Sequence, residues 1–214
     1  MLLDFNALKA QHNVNIKGVI HVGGHIGDEL EEYQGIENII IFEPQKHCYD
    51  QLVAKAERIG LGGKFVNCAL GNFVGEAEIT SDPTGLTGSL LEPGLVVDYP
   101  DIVFSEKFMV DVSKMDEEIP ADHPYNFLNM DVQGYELEVL KGGTTTLEKI
   151  DYVMTEVNRA EVYKKCAMIE ELTEFLAQYN LVNNVTQDVK THLKQLKFVE
   201  ENKRVKYFHY QPLT

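Results

Sequence analysis

Apolar positions in this chain fall into short continuous runs that alternate with stretches of helical spacing. Gly18-Val19-Ile20-His21-Val22 reads as a buried strand running into Gly23-Gly24-His25-Ile26-Gly27, and a helix is expected over residues 29–33. Ile39-Ile40-Ile41-Phe42 forms the next strand and stops at Glu43-Pro44. Leu52, Val53, Ala56 and Ile59 then recur on one helix face, after a short leading helix expected over residues 4–11. Residues 65–70 read as a third strand, and residues 76–80 as a short alternating one. From residue 81 to 100 the pattern lapses, with Pro83, Gly85, Gly88, Pro93 and Gly94 marking an irregular segment whose outer limit is residue 107. Long loops of this kind often serve as lids or binding loops. Residues 108–112 give another strand, 125–130 a strand ending in Asp131, 135–140 a helix, and 152–157 a strand carrying Glu156. Ile169, Leu172, Phe175 and Leu176 mark one face of a later helix.

Strands alternating with helices predict an α/β architecture with a mainly parallel sheet, because parallel neighbours need crossover connections. Ligands of such sheets sit beyond the carboxyl ends of the strands, where strand order reverses. That rule singles out residues 23–27, Glu43, residues 67–70, Asp131 and Glu156. No repeat or low-complexity linker divides the chain, so residues 1–214 are expected to form a single domain.

Composition narrows the chemistry. With 214 residues and 44% hydrophobic positions the chain can build a substantial core. Its net charge of −15 argues against nucleic acid and anionic membrane as partners, although a local pocket can still take an anion. Cys48, Cys68 and Cys166 form no CxxC or zinc spacing and are expected to be reduced and mostly buried. The first ten residues lack the apolar core of a signal peptide, and no run approaches the ~18 apolar residues of a membrane span, so the cytoplasm is the expected location.

The glycine loop permits a tight turn and close approach of a ligand to backbone amides. Its Gly23 to Gly27 spacing is GxxxG, which fails the GxGxxG test for dinucleotides. Glu43 follows Gly23 by twenty positions, at the end of the second strand, where a carboxylate can accept both hydroxyls of a ribose. Together they indicate a nucleoside-type cofactor.

Five motifs then occur in order: Val22-Gly23-Gly24-His25-Ile26-Gly27, Phe42-Glu43-Pro44, Ala69-Leu70-Gly71-Asn72, Asp131-Val132-Gln133-Gly134-Tyr135-Glu136 with Leu140-Lys141-Gly142-Gly143, and Thr155-Glu156-Val157. Over roughly residues 17–180 the chain resembles the FkbM-type methyltransferases. The resemblance implies a Rossmann-like methyltransferase fold with a mainly parallel seven-stranded sheet between helix layers, S-adenosylmethionine as cofactor, and O-methylation of a hydroxyl on a sugar, glycan or other small metabolite. It implies cofactor contacts from Gly23, Gly24, His25, Gly27, Glu43, Ala69 and Asp131. The chain departs from the family where His21 replaces a common acid, His25 a common Asn and Gln133 the usual Glu. Residues 181–214 replace the usual aromatic and glycine-rich ending with a divergent hairpin region rich in polar residues.

For the chemistry, methyl transfer needs a nucleophile, methyl and sulfur held in line, and a base near the hydroxyl proton helps. Asp131 is the leading candidate for that base; cofactor contact and helix capping are its other readings. Glu156 can position substrate hydroxyls, and Ser89, in Thr87-Gly88-Ser89-Leu90, can meet cofactor or substrate if the irregular segment folds over the site. No metal is expected: His21, Asp131 and Glu156 could converge, but no compact ligand motif supports them. His21 is expected to be satisfied by local backbone groups. A nicotinamide oxidoreductase and a catalytically silent nucleoside-binding module are the rival readings.

Overall fold

A computed structural model describes residues 14–98, 102–177, 179–185 and 206–212; the leading helix expected over residues 4–11 lies outside them. In chain order the first elements are β1 (Gly18–Val22), β2 (Asn38–Phe42), α1 (Lys46–Ile59), β3 (Lys64–Val66), β4 (Ala69–Leu70), β5 (Gly75–Ser81) and β6 (Glu106–Ser113). They are followed by α2 (Met115–Glu118), β7 (Phe127–Met130), α3 (Glu136–Lys141), α4 (Thr144–Leu147), β8 (Tyr152–Val157), α5 (Ile169–Phe175), β9 (Tyr179–Val185) and β10 (Lys206–Pro212).

Seven strands form the main sheet in the order β3-β2-β1-β7-β8-β10-β9. The first five run parallel, and β10 pairs antiparallel with both β8 and β9. This is the expected Rossmann-like, mainly parallel sheet. Strand order reverses between β1 and β7, with His21 aligned between Ile41 and Asn129.

Alternation along each strand builds a core on both faces. Val19, Ile39, Ile41, Phe127 and Met154 pack with Leu52 and Ala56 of α1 on one side. Ile20, Ile40, Phe42, Leu128, Met130 and Val153 pack with Val139, Leu140, Leu147 and Leu172 on the other. The four consecutive positions Ile39 to Phe42 are all at most 2% exposed, as a strand covered by helix layers on both faces requires. Each such side chain contributes about 1.5–3 kcal/mol by burial.

Two local expectations are corrected. Residues 29–33 form only a 3-10 turn, Leu30–Tyr33. Gly27 and Gly35, both at positive φ, bracket a segment too short to propagate a helix, and its i,i+3 pair Leu30 and Tyr33 supplies the buried contact. The single strand expected over residues 65–70 is two strands in different sheets. The Asn67 side chain donates to the Glu43 and Pro44 carbonyls at 2.8 and 2.9 Å, which breaks the ladder and sends β4 to pair with β6. β4, β6 and β5 form a separate three-stranded sheet, with Ala69, Ile79, Val110 and Val112 buried together.

The irregular segment after β5 has a definite path. Thr80 and Ser89 bridge antiparallel, Asp82 Oδ1 accepts the Thr84 and Gly85 amides at 3.0 and 2.8 Å, and a 3-10 turn spans Leu95–Asp98. All three cysteines are free and buried. Among the described residues no helix is long and apolar enough to cross a membrane.

Candidate active site

A cleft, open at its mouth, lies beyond the carboxyl ends of β1, β2 and β7. Gly23, His25, Glu43, Ala69 and Asp131 line it, together with Gln45, Leu86, Gly88, Leu90 and Gln133. Gly24, Gly27, Ser89 and Glu156 lie outside that lining.

The glycine loop is shaped by close packing. The amides of Gly23 and Gly24 both donate to the Phe42 carbonyl at 3.0 Å, so β1 turns back onto the end of β2. Gly23 has φ +88°, and a Cβ there would lie 2.0 Å from the Asp131 carbonyl oxygen. Gly24 and Gly27 shape the loop from behind, where added carbons would meet Ile41, Leu52 and Leu30. His25 adopts φ 44°, a left-handed conformation uncommon outside glycine. It is held at both ends: its amide donates to Glu43 Oε2 at 2.8 Å, and its Nε2 lies 3.0 Å from the Thr84 carbonyl.

Glu43 is buried, and its other oxygen, Oε1, accepts the Gln45 amide at 2.8 Å. Burial raises its pKa from the ordinary value, while these amides oppose the rise. Each carboxylate oxygen keeps a lone pair, so two further donors can be received. Beside it, the Gln45 amide nitrogen donates to the Gly85 carbonyl at 2.7 Å, whereas the buried Gln45 Oε1 has no protein partner. The sequence does not single out Gln45, and it singles out Gly85 only as a mark of the irregular segment. The only signal for Gln45 was its position just past Glu43-Pro44, and Gly85 reaches it from forty residues away.

Residues 82–93 fold over the cleft. Ser89 is buried and its hydroxyl donates to the Gln133 carbonyl at 2.8 Å, so it pins this segment to the loop after β7. Tyr163 reinforces the attachment. Its hydroxyl lies 3.0 Å from the Thr87 carbonyl and 3.1 Å from Gln133 Oε1, and residue 163 bridges Pro93.

Asp131, immediately after β7, sits at the centre of a carboxylate group. Glu156, in β8, hydrogen bonds to it through the side chains. Burial, and then the charges of Asp131 and Glu136, hold Glu156 well above the usual carboxylate range. Burial also raises Asp131, opposed by that hydrogen bond. Gln133 Nε2 donates to Asp131 Oδ1 at 2.9 Å. Asp131 is not the cap of α3: the capping position is Tyr135, with no side-chain cap. The loop amides of Val132 and Gly134 are instead received by Glu136 Oε1 at 3.3 and 3.1 Å. Glu136 is fully buried, and burial pushes its pKa up to about 7.

His21 is also buried and is held by more than backbone. Its Nδ1 lies 3.1 Å from the Tyr33 hydroxyl, which accepts from Asn129 Nδ2 at 2.9 Å. Burial lowers its pKa, leaving the ring neutral. Among the described residues no cluster of three or more His, Cys, Asp and Glu side chains has the geometry to hold a metal ion.

The cleft's chemistry suits a cationic nucleoside. Asp28, Glu29, Glu43 and Asp131 line it, and none of its described lining residues is Lys or Arg. Glu43 offers two acceptors to a diol, and the orphaned Gln45 oxygen offers one to an amino group. Val22, Phe42, Ile79 and Leu90 add apolar walls.

A Rossmann-like sheet with an acidic cleft at its switch point defines the broad class. The chain belongs to the FkbM methyltransferase family, whose domain it matches over residues 21–182. It is 25% identical over 166 residues to the hexuronic acid methyltransferase AglP of Haloferax volcanii, a match covering 78% of this chain and 64% of that protein. Among solved structures it resembles methyltransferase FkbM from Methylobacillus flagellatus KT, with a TM-score of 0.57 and 17% identity over 90% of this chain and 43% of the other. Magnesium protoporphyrin IX methyltransferase from Synechocystis PCC 6803, solved with bound S-adenosylmethionine, gives a TM-score of 0.53 at 9% identity, covering 97% and 76%. The chain therefore spans somewhat less than two thirds of the curated relative.

Proposed function

We propose that this protein transfers a methyl group from S-adenosylmethionine to a hydroxyl of a sugar, glycan or other small metabolite. The observation carrying the reading is the placement of Glu43 and Asp131 in one acidic cleft, at the ends of the two strands that flank β1. S-adenosylmethionine, when bound, supplies a methyl on a positively charged sulfur. Glu43 receives the ribose hydroxyls and Gln45 Oε1 the adenine amino group. The acidic lining offsets the cofactor's positive charge. Asp131 would take the proton of the acceptor hydroxyl as its oxygen bonds to the methyl carbon and the methyl–sulfur bond breaks, leaving S-adenosylhomocysteine. The folded-over segment 82–93 excludes water from this exchange.

Calorimetric titration with S-adenosylmethionine, S-adenosylhomocysteine, NAD and NADP tests the cofactor. Methyl transfer to neutral and uronic acid glycosides then tests the acceptor, the latter because AglP is named for hexuronic acid. Selective binding of the adenosyl pair is expected, with turnover on at least one glycoside and loss of turnover in Asp131→Asn at retained cofactor affinity. Binding of NAD with hydride transfer would overturn the cofactor reading. Adenosyl binding without turnover across the panel would instead identify a silent nucleoside-binding module, and full turnover in Asp131→Asn would remove the base.

A further inference from the structure

Gln133 stands where the family's signature carries Glu, and its backbone is strained at φ 54°. Such a conformation persists when surrounding contacts over-determine it. Three contacts do so here. Its carbonyl receives the Ser89 hydroxyl at 2.8 Å, its Oε1 lies 3.1 Å from the Tyr163 hydroxyl, and its Nε2 donates to Asp131 Oδ1 at 2.9 Å.

The orientation of the amide follows from these partners. Asp131 is an acceptor and needs a donor. Tyr163 has one proton, shared between the Thr87 carbonyl and the Gln133 oxygen. A flipped amide would put its oxygen against a carboxylate and its N–H₂ against a hydroxyl already directed at it. Tyr163 is buried and fixed by Thr87, so the amide is locked from behind.

We propose that Gln133 is a positioning residue for Asp131: Tyr163, anchored on the segment folded over the cleft, fixes the amide with its N–H on Oδ1 and so keeps that carboxylate aimed and ionised. The proposal rests on the reading of Asp131 as the base. A Glu at position 133 would offer Asp131 a hydrogen bond only while protonated, whereas the amide donates at every pH. The segment over the cleft and the reacting acid are thereby joined by one chain, Thr87 to Tyr163 to Gln133 to Asp131.

Several titratable groups share this environment: Glu156 on β8, Glu136 at the start of α3, His21 on β1, Glu29 before the 3-10 turn, Tyr163 itself, and Asp82 on the overlying segment.

The test uses full-length protein carrying ¹³C-labelled aspartate, with the Asp131 carboxyl assigned by Asp131→Asn. Gln133→Met keeps the side-chain shape and removes the donor; Tyr163→Phe leaves the amide in place and frees it to turn. The Asp131 titration should move upward by about one to two pH units in Gln133→Met, the equivalent of one lost charge-assisted hydrogen bond. It should move in the same direction by less in Tyr163→Phe. With an acceptor in hand, the acid limb of the kcat profile moves upward with it. A titration unmoved in both variants overturns the inference, whatever Asp131 does in catalysis. Conversely, full turnover in Asp131→Asn with a shifted titration in these variants would sink the base and leave the amide's hold on Asp131 standing. Tyr163→Phe decides the matter alone if Gln133→Met does not fold.

Discussion

Replacing Glu43 by Gln isolates the proposed ribose recognition, and its cost follows from the geometry. In the wild type, each carboxylate oxygen receives a backbone amide at 2.8 Å, His25 on Oε2 and Gln45 on Oε1. A glutamine preserves shape but turns one acceptor into a donor, opposing its N–H₂ to one of those amides whichever way it faces. One charge-assisted hydrogen bond is lost within the loop, a destabilisation of about 1.5–3 kcal/mol. One hydroxyl of the bound ribose loses its acceptor as well, and affinity should fall roughly 10- to 100-fold for that contact. Glu43→Ala removes both acceptors and should lose more. Thermal melts monitor the first effect and calorimetric titration the second, with enough ligand to saturate folded protein. Because the ribose is common to S-adenosylmethionine and S-adenosylhomocysteine, the two should weaken by the same factor. Undiminished affinity in a folded Glu43→Gln protein, or a loss confined to the methylated ligand, would refute the assignment.

Other substitutions probe the frame around the cleft. Glu136 is raised in the fold from its ordinary 4.5 to about 7, so the native state binds the extra proton between those values; stability should fall by about 3 kcal/mol as pH rises from 4.5 to 7. Glu136→Gln should flatten that slope in urea unfolding series, and an unchanged slope would assign it elsewhere. Gly23→Ala forces a side chain into φ +88° with its Cβ 2.0 Å from the Asp131 carbonyl; a loss of stability of about 3 kcal/mol or more is expected, and a melting temperature near wild type would contradict the loop geometry. Leu172→Ala, at a fully buried position facing α3, should cost about 2–5 kcal/mol in denaturant unfolding without altering the cofactor affinity of the protein that remains folded.

What the sequence makes legible here follows from where each interaction is encoded. Strands buried on both faces appear as unbroken apolar runs, so β1, β2 and β8 could be read directly, and the switch-point rule then placed Glu43 and Asp131 at the cleft. The division of residues 65–70 was hidden because Asn67 acts through two backbone carbonyls of another strand end, which apolar spacing does not register. Glu136 looks like a solvated acid at the start of a helix, yet its partners are amides two and four residues earlier, created by the left-handed turn at Gln133 and Gly134. The same turn directs the Gln133 amide at Asp131. The signature motif thus encodes more than a set of side chains. Its glycine permits the turn, its second acid stabilises the freed amides, and the residue before the glycine, Gln133, is brought under Tyr163. A change at residue 133 therefore reaches the overlying segment and the candidate base together, although they lie more than forty residues apart in sequence.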